Sequence, residues 1–214
     1  MAVENGYGSE MDVHLLADGQ LAVIHDSLLK RTTGADGRIE DLTSLQLKNY
    51  RLEGTDETIP LFSQVLDIYA GKAPLIVELK PVGDNVDKLC ERAMKVLDQY
   101  YGVYCVESFD PRCVYWFKKH RPEIIRGQLS ENFLASPTSK LPAVLKFLLK
   151  ALVFNFLTRP DFVAYKFTDR KTLGNFLCRK LWKAQGVAWT LENMQQYKTA
   201  TQEGWIPIFE GFRP

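Results

Sequence analysis

Residues 73–109, with the sequence APLIVELKPVGDNVDKLCERAMKVLDQYYGVYCVESF, contain one complete strand–helix–strand unit. The runs APLIVELK and GVYCVESF are short, apolar and rich in β-branched and aromatic residues, which predicts two strands. Between them, Asp84–Tyr101 has the length and the mixture of polar and apolar residues of a helix. A helix that connects two strands in this way is typical of a βα unit on a parallel sheet.

The same alternation continues on both sides of this unit. Further strand-like runs are GSEMDVHL, QLAVIH, IIRGQL, FVAYKF, GVAWT and WIPIF. Further helix-like segments are Pro60–Gly71, Pro111–Lys119, Pro142–Leu157, Thr172–Gln185 and Glu192–Glu203. This repetition predicts an α/β fold, either a doubly wound sheet or a (β/α)8 barrel. The lack of a Gly-rich dinucleotide fingerprint and of a P-loop favours the barrel.

The alternation is interrupted near the start of the chain. Ala17-Asp18-Gly19 is a tight-turn signal, so the first two strands are expected to form a hairpin. Residues 26–58 are polar, rich in turns and long for a connection, and we interpret them as a loop-rich insertion. The length of 214 residues is that of one domain, so we expect residues 1–214 to form a single domain.

Composition and charge exclude several classes of protein. Lys and Arg total 27 against 26 for Asp and Glu, a balance that argues against a general nucleic-acid binder. Hydrophobic residues make up 46%, which excludes wholesale disorder. The four cysteines form no CxxC pair, and the first ten residues, MAVENGYGSE, have no signal-peptide pattern. We therefore expect a cytoplasmic protein without a transmembrane segment.

The segment 141–157 is apolar almost all round a helical wheel, apart from Lys146 and Lys150. It is too interrupted to span a membrane. Two interpretations remain open: a helix packed beneath loops or in a homodimer contact, which we favour, and a surface that contacts lipid.

Acidic side chains stand at the ends of two predicted strands. Glu10 and Asp12 are two residues apart on one strand, so they point to the same face, and Glu78 and Lys80 repeat this spacing on another. Three converging carboxylates would suit Mg²⁺ or Ca²⁺, and the lysine would suit a phosphate. The alternative is a salt-bridge cluster at the rim of the sheet, which the spacing fits equally well.

Two further side chains are candidates for the same rim. His25 ends the run LAVI, and an imidazole is suited to proton transfer near neutral pH, although a structural role in a loop is the commoner one. Trp189 closes another strand and could wall a substrate pocket or simply pack in the core. His14 is expected to lie beyond its strand and to be solvated.

Several motifs together resemble the glycerophosphodiester phosphodiesterase family. They are Glu10-Met11-Asp12-Val13, Ala17-Asp18-Gly19-Gln20, Val23-Ile24-His25-Asp26, Leu29-Lys30-Arg31-Thr32-Thr33-Gly34 and Val77-Glu78-Leu79-Lys80-Pro81. Weaker matches follow at Ser108-Phe109-Asp110, Gly127-Gln128-Leu129, Trp189-Thr190 and residues 208–214. The resemblance therefore extends over nearly the whole chain.

The resemblance implies a TIM barrel of the phospholipase-C-like phosphodiesterase type that hydrolyses glycerophosphodiesters to glycerol 3-phosphate and an alcohol. It implies that Glu10, Asp12 and Glu78 hold a divalent cation, Mg²⁺ or Ca²⁺. It further implies that Lys80 contacts the phosphate and that His25 is one of two catalytic histidines. The partner is then a small-molecule substrate, and Trp189 would line its pocket.

The chain departs from the family pattern at its start. The family begins with a strand that ends in His-Arg and continues with an E-N-T/S motif, whereas residues 1–6 resemble only the end of the helix that follows. We therefore expect the first βα unit to be missing from residues 1–214 and turnover by this chain to be low. Two alternatives are a non-catalytic remnant that binds metal and phosphate, and a lysophospholipase D.

Overall fold

The computed structural model describes residues 2–135 and 141–214. They form two compact units, one that ends at Val106 and one that comprises Glu107–Pro214, so the chain passes from the first to the second within a strand. The strands are β1 (Ser9–Leu15), β2 (Leu21–Val23), β3 (Leu75–Leu79), β4 (Tyr104–Ser108), β5 (Arg126–Ser130), β6 (Phe162–Lys166), β7 (Gln185–Leu191) and β8 (Trp205–Phe209). The helices are α1 (Lys30–Thr33), α2 (Phe62–Tyr69), α3 (Val86–Leu97), α4 (Pro111–His120), α5 (Ala143–Lys150), α6 (Asn155–Thr158), α7 (Leu173–Leu181) and α8 (Met194–Gln202).

The first unit is organised around β1, which lies between β2 and β3. β1 is antiparallel to β2 and parallel to β3, so the predicted hairpin is confirmed. Its turn closes through the amide of Leu16, which donates to the carbonyl of Gln20 at 2.9 Å. Gly19 adopts a φ of 78°, a left-handed conformation that favours glycine.

Residues 26–58 contain only short elements: α1 and two 3₁₀ helices, Ile39–Asp41 and Ser44–Asn49. They nevertheless have a core of their own, because apolar side chains from this segment pack against the hairpin. The buried members of that core are Leu16, Ala22, Ile24, Leu29, Ile39, Leu42, Leu47 and Ile59. The segment is therefore a packed layer over β1 and β2.

The second unit contains β5 to β8, which lie side by side in chain order and are parallel. Parallel strands covered on both faces are largely buried, as four of the five residues of β6 are. Gly127 on β5 is required by its neighbour, because a Cβ there would lie 2.1 Å from the ring of Phe162. The alternation of strands and helices predicted from the sequence is confirmed in both units.

The prediction of one continuous helix over residues 142–157 is wrong. It is divided into α5 and α6, with Leu152 at a φ of 57° between them. Helix α5 contains no buried residue, whereas Leu152 and Asn155 of the same segment are buried, so the interpretation that it packs beneath loops or in a homodimer contact stays a prediction. Among the described residues, no helix has both the length and the apolar character needed to cross a bilayer.

The expectation that His14 is solvated is wrong. β1 continues to Leu15, and the layer formed by residues 26–58 covers His14, which is only 2% exposed. Its Nδ1 donates to Oε1 of Glu40 at 2.8 Å, and the hydroxyl of Ser27 donates to Oε2 at 2.7 Å. Burial alone would raise the pKa of Glu40, but the hydrogen bonds from His14 and Ser27 outweigh burial and hold this pKa below its ordinary value.

We predict that Glu40→Gln lowers the free energy of unfolding by about 1–3 kcal/mol, because the buried His14 loses its charged acceptor. Urea denaturation followed by circular dichroism measures the change. Asp36→Asn is the matched control, since Asp36 forms an exposed ion pair with Lys30 at 3.3 Å and should change stability by less than about 0.5 kcal/mol. Equal losses in the two variants would contradict the prediction.

Candidate metal and phosphate site

The carboxylates of the site are positioned by the pairing of β1 with β3. Glu10 and Asp12 alternate with apolar residues along β1, so both project from one face of the sheet. The parallel register places Asp12 opposite Glu78, and the amide of Lys80 donates to the carbonyl of Val13 at 3.0 Å. The strand pairing therefore brings four residues from two distant parts of the sequence together.

The three carboxylates form a compact group. One oxygen from each of Glu10, Asp12 and Glu78 lies within 4.8 Å of the other two. Asp12 and Glu78 are buried and Glu10 is half-buried. Among the described residues, Oε1 of Glu10 is a buried acceptor without a hydrogen-bond donor. A buried carboxylate oxygen without a donor is costly unless a ligand supplies positive charge or a hydrogen bond.

Lys80 occupies one side of this group. Its Nζ lies 2.9 Å from Oδ1 of Asp12 and 2.7 Å from Oε1 of Glu78. The sequence left open whether these residues form a salt-bridge cluster or a cation site, and the salt bridges are present. They leave one ammonium group beside three carboxyl groups, so two of them would lack a matching positive charge if all three were ionised.

Burial is the main influence on the pKa values of the carboxyl groups in the site. Burial raises the pKa of Glu10 to about 7, helped by the nearby charge of Asp12 and opposed by Lys80. Burial likewise raises the pKa of Glu78 to about 8, against the attraction of Lys80. For Lys80, burial would lower the pKa, but the carboxylates of Glu78 and Asp12 outweigh it and hold the pKa above its ordinary value. The set of oxygen donors therefore fits a divalent cation, which would favour the ionised carboxylates.

His25 is held beside the strand that carries Asp12. The amide of Ile24 donates to the carbonyl of Asp12 at 3.1 Å, and His25 follows directly with its side chain 67% exposed. Its Nδ1 lies 2.6 Å from Oδ1 of Asp26. A hydrogen bond from Arg31, with a smaller contribution from His25, lowers the pKa of Asp26 to about 2, so this carboxylate stays ionised and orients the imidazole. With Nδ1 engaged, Nε2 is left to exchange a proton.

Trp189 lies in the second unit, near the carboxyl end of β7. Its ring meets Phe109 edge-on at 5.6 Å between centroids, and Phe109 meets Phe133 at 5.9 Å. Within the described residues, the indole Nε1–H of Trp189 is buried and has no acceptor. The indole therefore combines an apolar face with one donor available to a ligand.

The structure brings Glu10, Asp12, Glu78 and Lys80 together and places His25 in the same unit. Sequence reasoning missed the supporting role of Asp26, although its position directly after His25 was a usable signal. It also missed Phe133, which nothing in the local sequence distinguishes from a core phenylalanine.

Comparison with known proteins gives a family match over almost the whole chain. The model of the glycerophosphoryl diester phosphodiesterase family matches residues 1–209. A glycerophosphodiester phosphodiesterase from Bacillus altitudinis is 37% identical over 147 residues, which are 64% of this chain and 60% of that protein. A lysophospholipase D from Rattus norvegicus is 32% identical over 103 residues, or 42% of this chain and 32% of that protein. The matched region is therefore less than two thirds of the length of these relatives.

Solved structures show the same fold. A phosphodiesterase from Oleispira antarctica, in complex with the product sn-glycerol-3-phosphate, is 22% identical, with a TM-score of 0.78 over 97% of this chain and 83% of its own. A glycerophosphodiester phosphodiesterase from Thermotoga maritima is 21% identical, with a TM-score of 0.71 over 97% and 84%. The predicted fold class, an α/β chain of the phosphodiesterase barrel type, is confirmed by these neighbours.

We predict that, without divalent cations, the free energy of unfolding falls as the pH rises from about 5 to about 8. Glu10 and Glu78 retain protons in the folded protein that they lose in the unfolded chain over this range, so raising the pH favours unfolding. Mg²⁺ or Ca²⁺ should raise stability most at the upper end, where it replaces those protons.

Urea denaturation at several pH values, with and without added cation, measures both effects. In the double variant Glu10→Gln with Glu78→Gln, the pH dependence should flatten and the cation effect should disappear, whereas the exposed control Asp36→Asn should behave as the unaltered chain. An unchanged pH dependence in the double variant would contradict this explanation.

Proposed function

The chain belongs to the glycerophosphoryl diester phosphodiesterase family, and from this membership we propose that it hydrolyses glycerophosphodiesters to glycerol 3-phosphate and an alcohol. The observation that supports this proposal most is the cluster of Glu10, Asp12 and Glu78 with Lys80 on two neighbouring strands. His25 in the same unit adds a group able to transfer protons. Each of these residues has a separate part in the proposed reaction.

Glu10, Asp12 and Glu78 would hold the divalent cation through carboxylate oxygens. Mg²⁺ and Ca²⁺ are both suited to such ligands, and they are the two ions to test. When bound, the cation supplies positive charge that polarises the phosphoryl oxygens. The unpartnered Oε1 of Glu10 supports this assignment, because the fold provides the oxygen with no donor among the described residues.

Lys80 would bind the phosphate as a compact positive charge. Its ammonium group is fixed by Asp12 and Glu78, and its raised pKa keeps it protonated throughout the range in which the protein works. A lysine held in this way is oriented before the substrate arrives, so little side-chain entropy is lost on binding.

His25 would move the proton. Hydrolysis forms a bond between phosphorus and an attacking oxygen and breaks the bond between phosphorus and the alcohol oxygen. The attacking hydroxyl loses a proton and the departing alcohol gains one. Nε2 of His25 can perform one of these transfers, while Asp26 orients the ring through Nδ1.

The other two histidines of the chain are engaged by other groups. His14 is buried, with its Nδ1 on Glu40 and its Nε2 3.5 Å from the backbone carbonyl of His25, and His120 ends α4, where its Nδ1 lies 3.1 Å from the carbonyl of Trp116. We therefore propose that His25 acts without a second histidine in these 214 residues and that turnover is slow. A positioned proton-transfer group contributes typically about 10²–10⁴-fold.

Trp189 would line the pocket for the alcohol portion of the substrate. Its contact with Phe109 supports this role, and its unpartnered Nε1–H could donate to a substrate oxygen.

The cytoplasmic location and the extent of the domain stay predictions from the sequence.

We predict that the chain releases glycerol 3-phosphate from glycerophosphocholine in the presence of Mg²⁺ or Ca²⁺ and that excess EDTA abolishes the release. An enzyme-coupled assay for glycerol 3-phosphate measures it. Asp12→Asn should lose both the release and the stabilisation by cation. Stabilisation by cation without any release would instead support the non-catalytic binding protein.

We predict that His25→Ala lowers kcat by about 10²–10⁴-fold and leaves the stabilisation by divalent cation unchanged, because His25 transfers protons and does not hold the ion. His120→Ala is the matched control, since it also removes a partly exposed imidazole, and it should keep full activity. Equal activity of His25→Ala and the unaltered chain would show that the proton is transferred by another group.

A lysophospholipase D is a second candidate. It is supported by the likeness to the rat protein and by the exposed apolar helix α5, which an amphiphilic substrate could approach. An assay of choline release separates the two candidates, because lysophosphatidylcholine, which yields lysophosphatidic acid and choline, can be compared with glycerophosphocholine at equal concentration. Faster choline release from the lysolipid would favour this second candidate.

A further inference from the structure

Helix α5 is apolar and yet uncovered. Six of its eight residues, AVLKFLLK, are apolar, but the helix contains no buried residue. The exposed apolar side chains continue through the connection to α6. Those of this stretch are Val144 (73% exposed), Phe147 (57%), Val153 (49%), Phe156 (72%) and Leu157 (55%). Exposed apolar residues scattered singly are common, but a concentration of them within one short segment marks an interaction surface.

Helix α7 extends the same surface. A Cβ on Gly174 would lie 2.2 Å from the carbonyl oxygen of Ala151, so the start of α7 packs directly on the end of α5. The side-chain nitrogen Nδ2 of Asn155 on α6 lies 3.6 Å from Sγ of Cys178 on α7. At the start of α7, Leu173 and Phe176 are 73% and 57% exposed. We refer to α5, α6 and α7 together as the apolar–basic surface.

The apolar–basic surface is fixed firmly to the sheet of the second unit. The hydroxyl of Ser130, at the carboxyl end of β5, donates to the carbonyl of Leu149 at 3.0 Å. The hydroxyl of Tyr165, near the carboxyl end of β6, donates to the carbonyl of Lys150 at 3.1 Å. The end of α5 is therefore anchored through its backbone, while Phe147 in the same turn stays exposed.

The charge of this surface is one-sided. Helices α5, α6 and α7 contain four Lys and Arg and no Asp or Glu, in a chain whose formal net charge is only +1. Of the four, Arg179 is engaged within the fold by the ring of Trp205. Lys146 and Lys150 lie one turn apart on α5 and are half-buried, and no ion pair of either with a carboxylate is found among the described residues.

We propose that the apolar–basic surface binds the surface of a lipid bilayer that contains anionic lipids. A bilayer offers an apolar phase for Phe147 and its neighbours together with negative headgroups for Lys146 and Lys150, whose long side chains can reach outward from an inserted helix. A second copy of the chain would bring two positive surfaces together. A nucleic acid would pair with the lysines but offers no apolar phase for five exposed aliphatic and aromatic side chains.

Sedimentation of the full chain with vesicles tests the proposal in the absence of any substrate, so its outcome is independent of the proposed hydrolysis. We expect binding to vesicles of phosphatidylcholine with phosphatidylglycerol and much weaker binding to phosphatidylcholine alone. The double variant Lys146→Gln with Lys150→Gln should weaken the binding roughly 30-fold, since each basic residue near the surface contributes about 1 kcal/mol. Phe147→Ser should weaken it at least tenfold by removing apolar insertion.

The matched control is the double variant Lys72→Gln with Lys88→Gln, which makes the same change of charge at exposed positions in the first unit and should bind as the unaltered chain does. Equal weakening in both double variants would overturn the proposal, because the net charge of the chain alone would then explain its binding to vesicles. A failure to bind anionic vesicles would also overturn it. The proposal would also be overturned if the chain formed a dimer without vesicles and the variant Phe147→Ser were monomeric. Tighter binding of an RNA oligonucleotide than of vesicles at this surface would overturn it as well.

Discussion

The contact of Lys80 with Asp12 and Glu78 is the interaction on which the site depends. Three carboxylates on neighbouring strands would repel each other if all were ionised, and burial makes each charge more costly. The ammonium group reduces that repulsion and allows β1 and β3 to pair with Asp12 opposite Glu78. It does not offset the cost of burial, which keeps the pKa values of Glu10 and Glu78 raised. A further positive charge beside these carboxylates would favour their ionised forms.

Much of this arrangement could be predicted from the sequence, because it follows from the geometry of strands. A spacing of two residues places Glu10 with Asp12 and Glu78 with Lys80, whatever the rest of the chain does. The alternation of strand and helix then predicts that the two pairs meet at the same edge of a parallel sheet. The resemblance to a family of phosphodiesterases added the roles of these residues, which spacing alone left open between an ion-pair cluster and a cation site.

What could not be predicted depends on contacts between distant residues. His14 follows Asp12 by two residues on the same strand. It is buried because the layer of short helical turns formed by residues 26–58 covers the hairpin and brings Glu40 against it. The break between α5 and α6 is similar, since the residues around Leu152 have an ordinary helical composition. Leu152 leaves the helical conformation where its side chain enters the core of the second unit. Such features arise from tertiary packing, which overrides local preference.

The proposed reacting groups are all contributed by residues 10–80, whereas the aromatic cluster of Phe109, Phe133 and Trp189 and the apolar–basic surface belong to the part of the chain after Val106. The residues proposed to react and the residues proposed to contact the substrate or a bilayer therefore lie in different parts of the sequence. Under selection, the later half could exchange aromatic and apolar residues without altering the proposed reacting groups. Diversification among relatives should therefore accumulate unevenly along the gene.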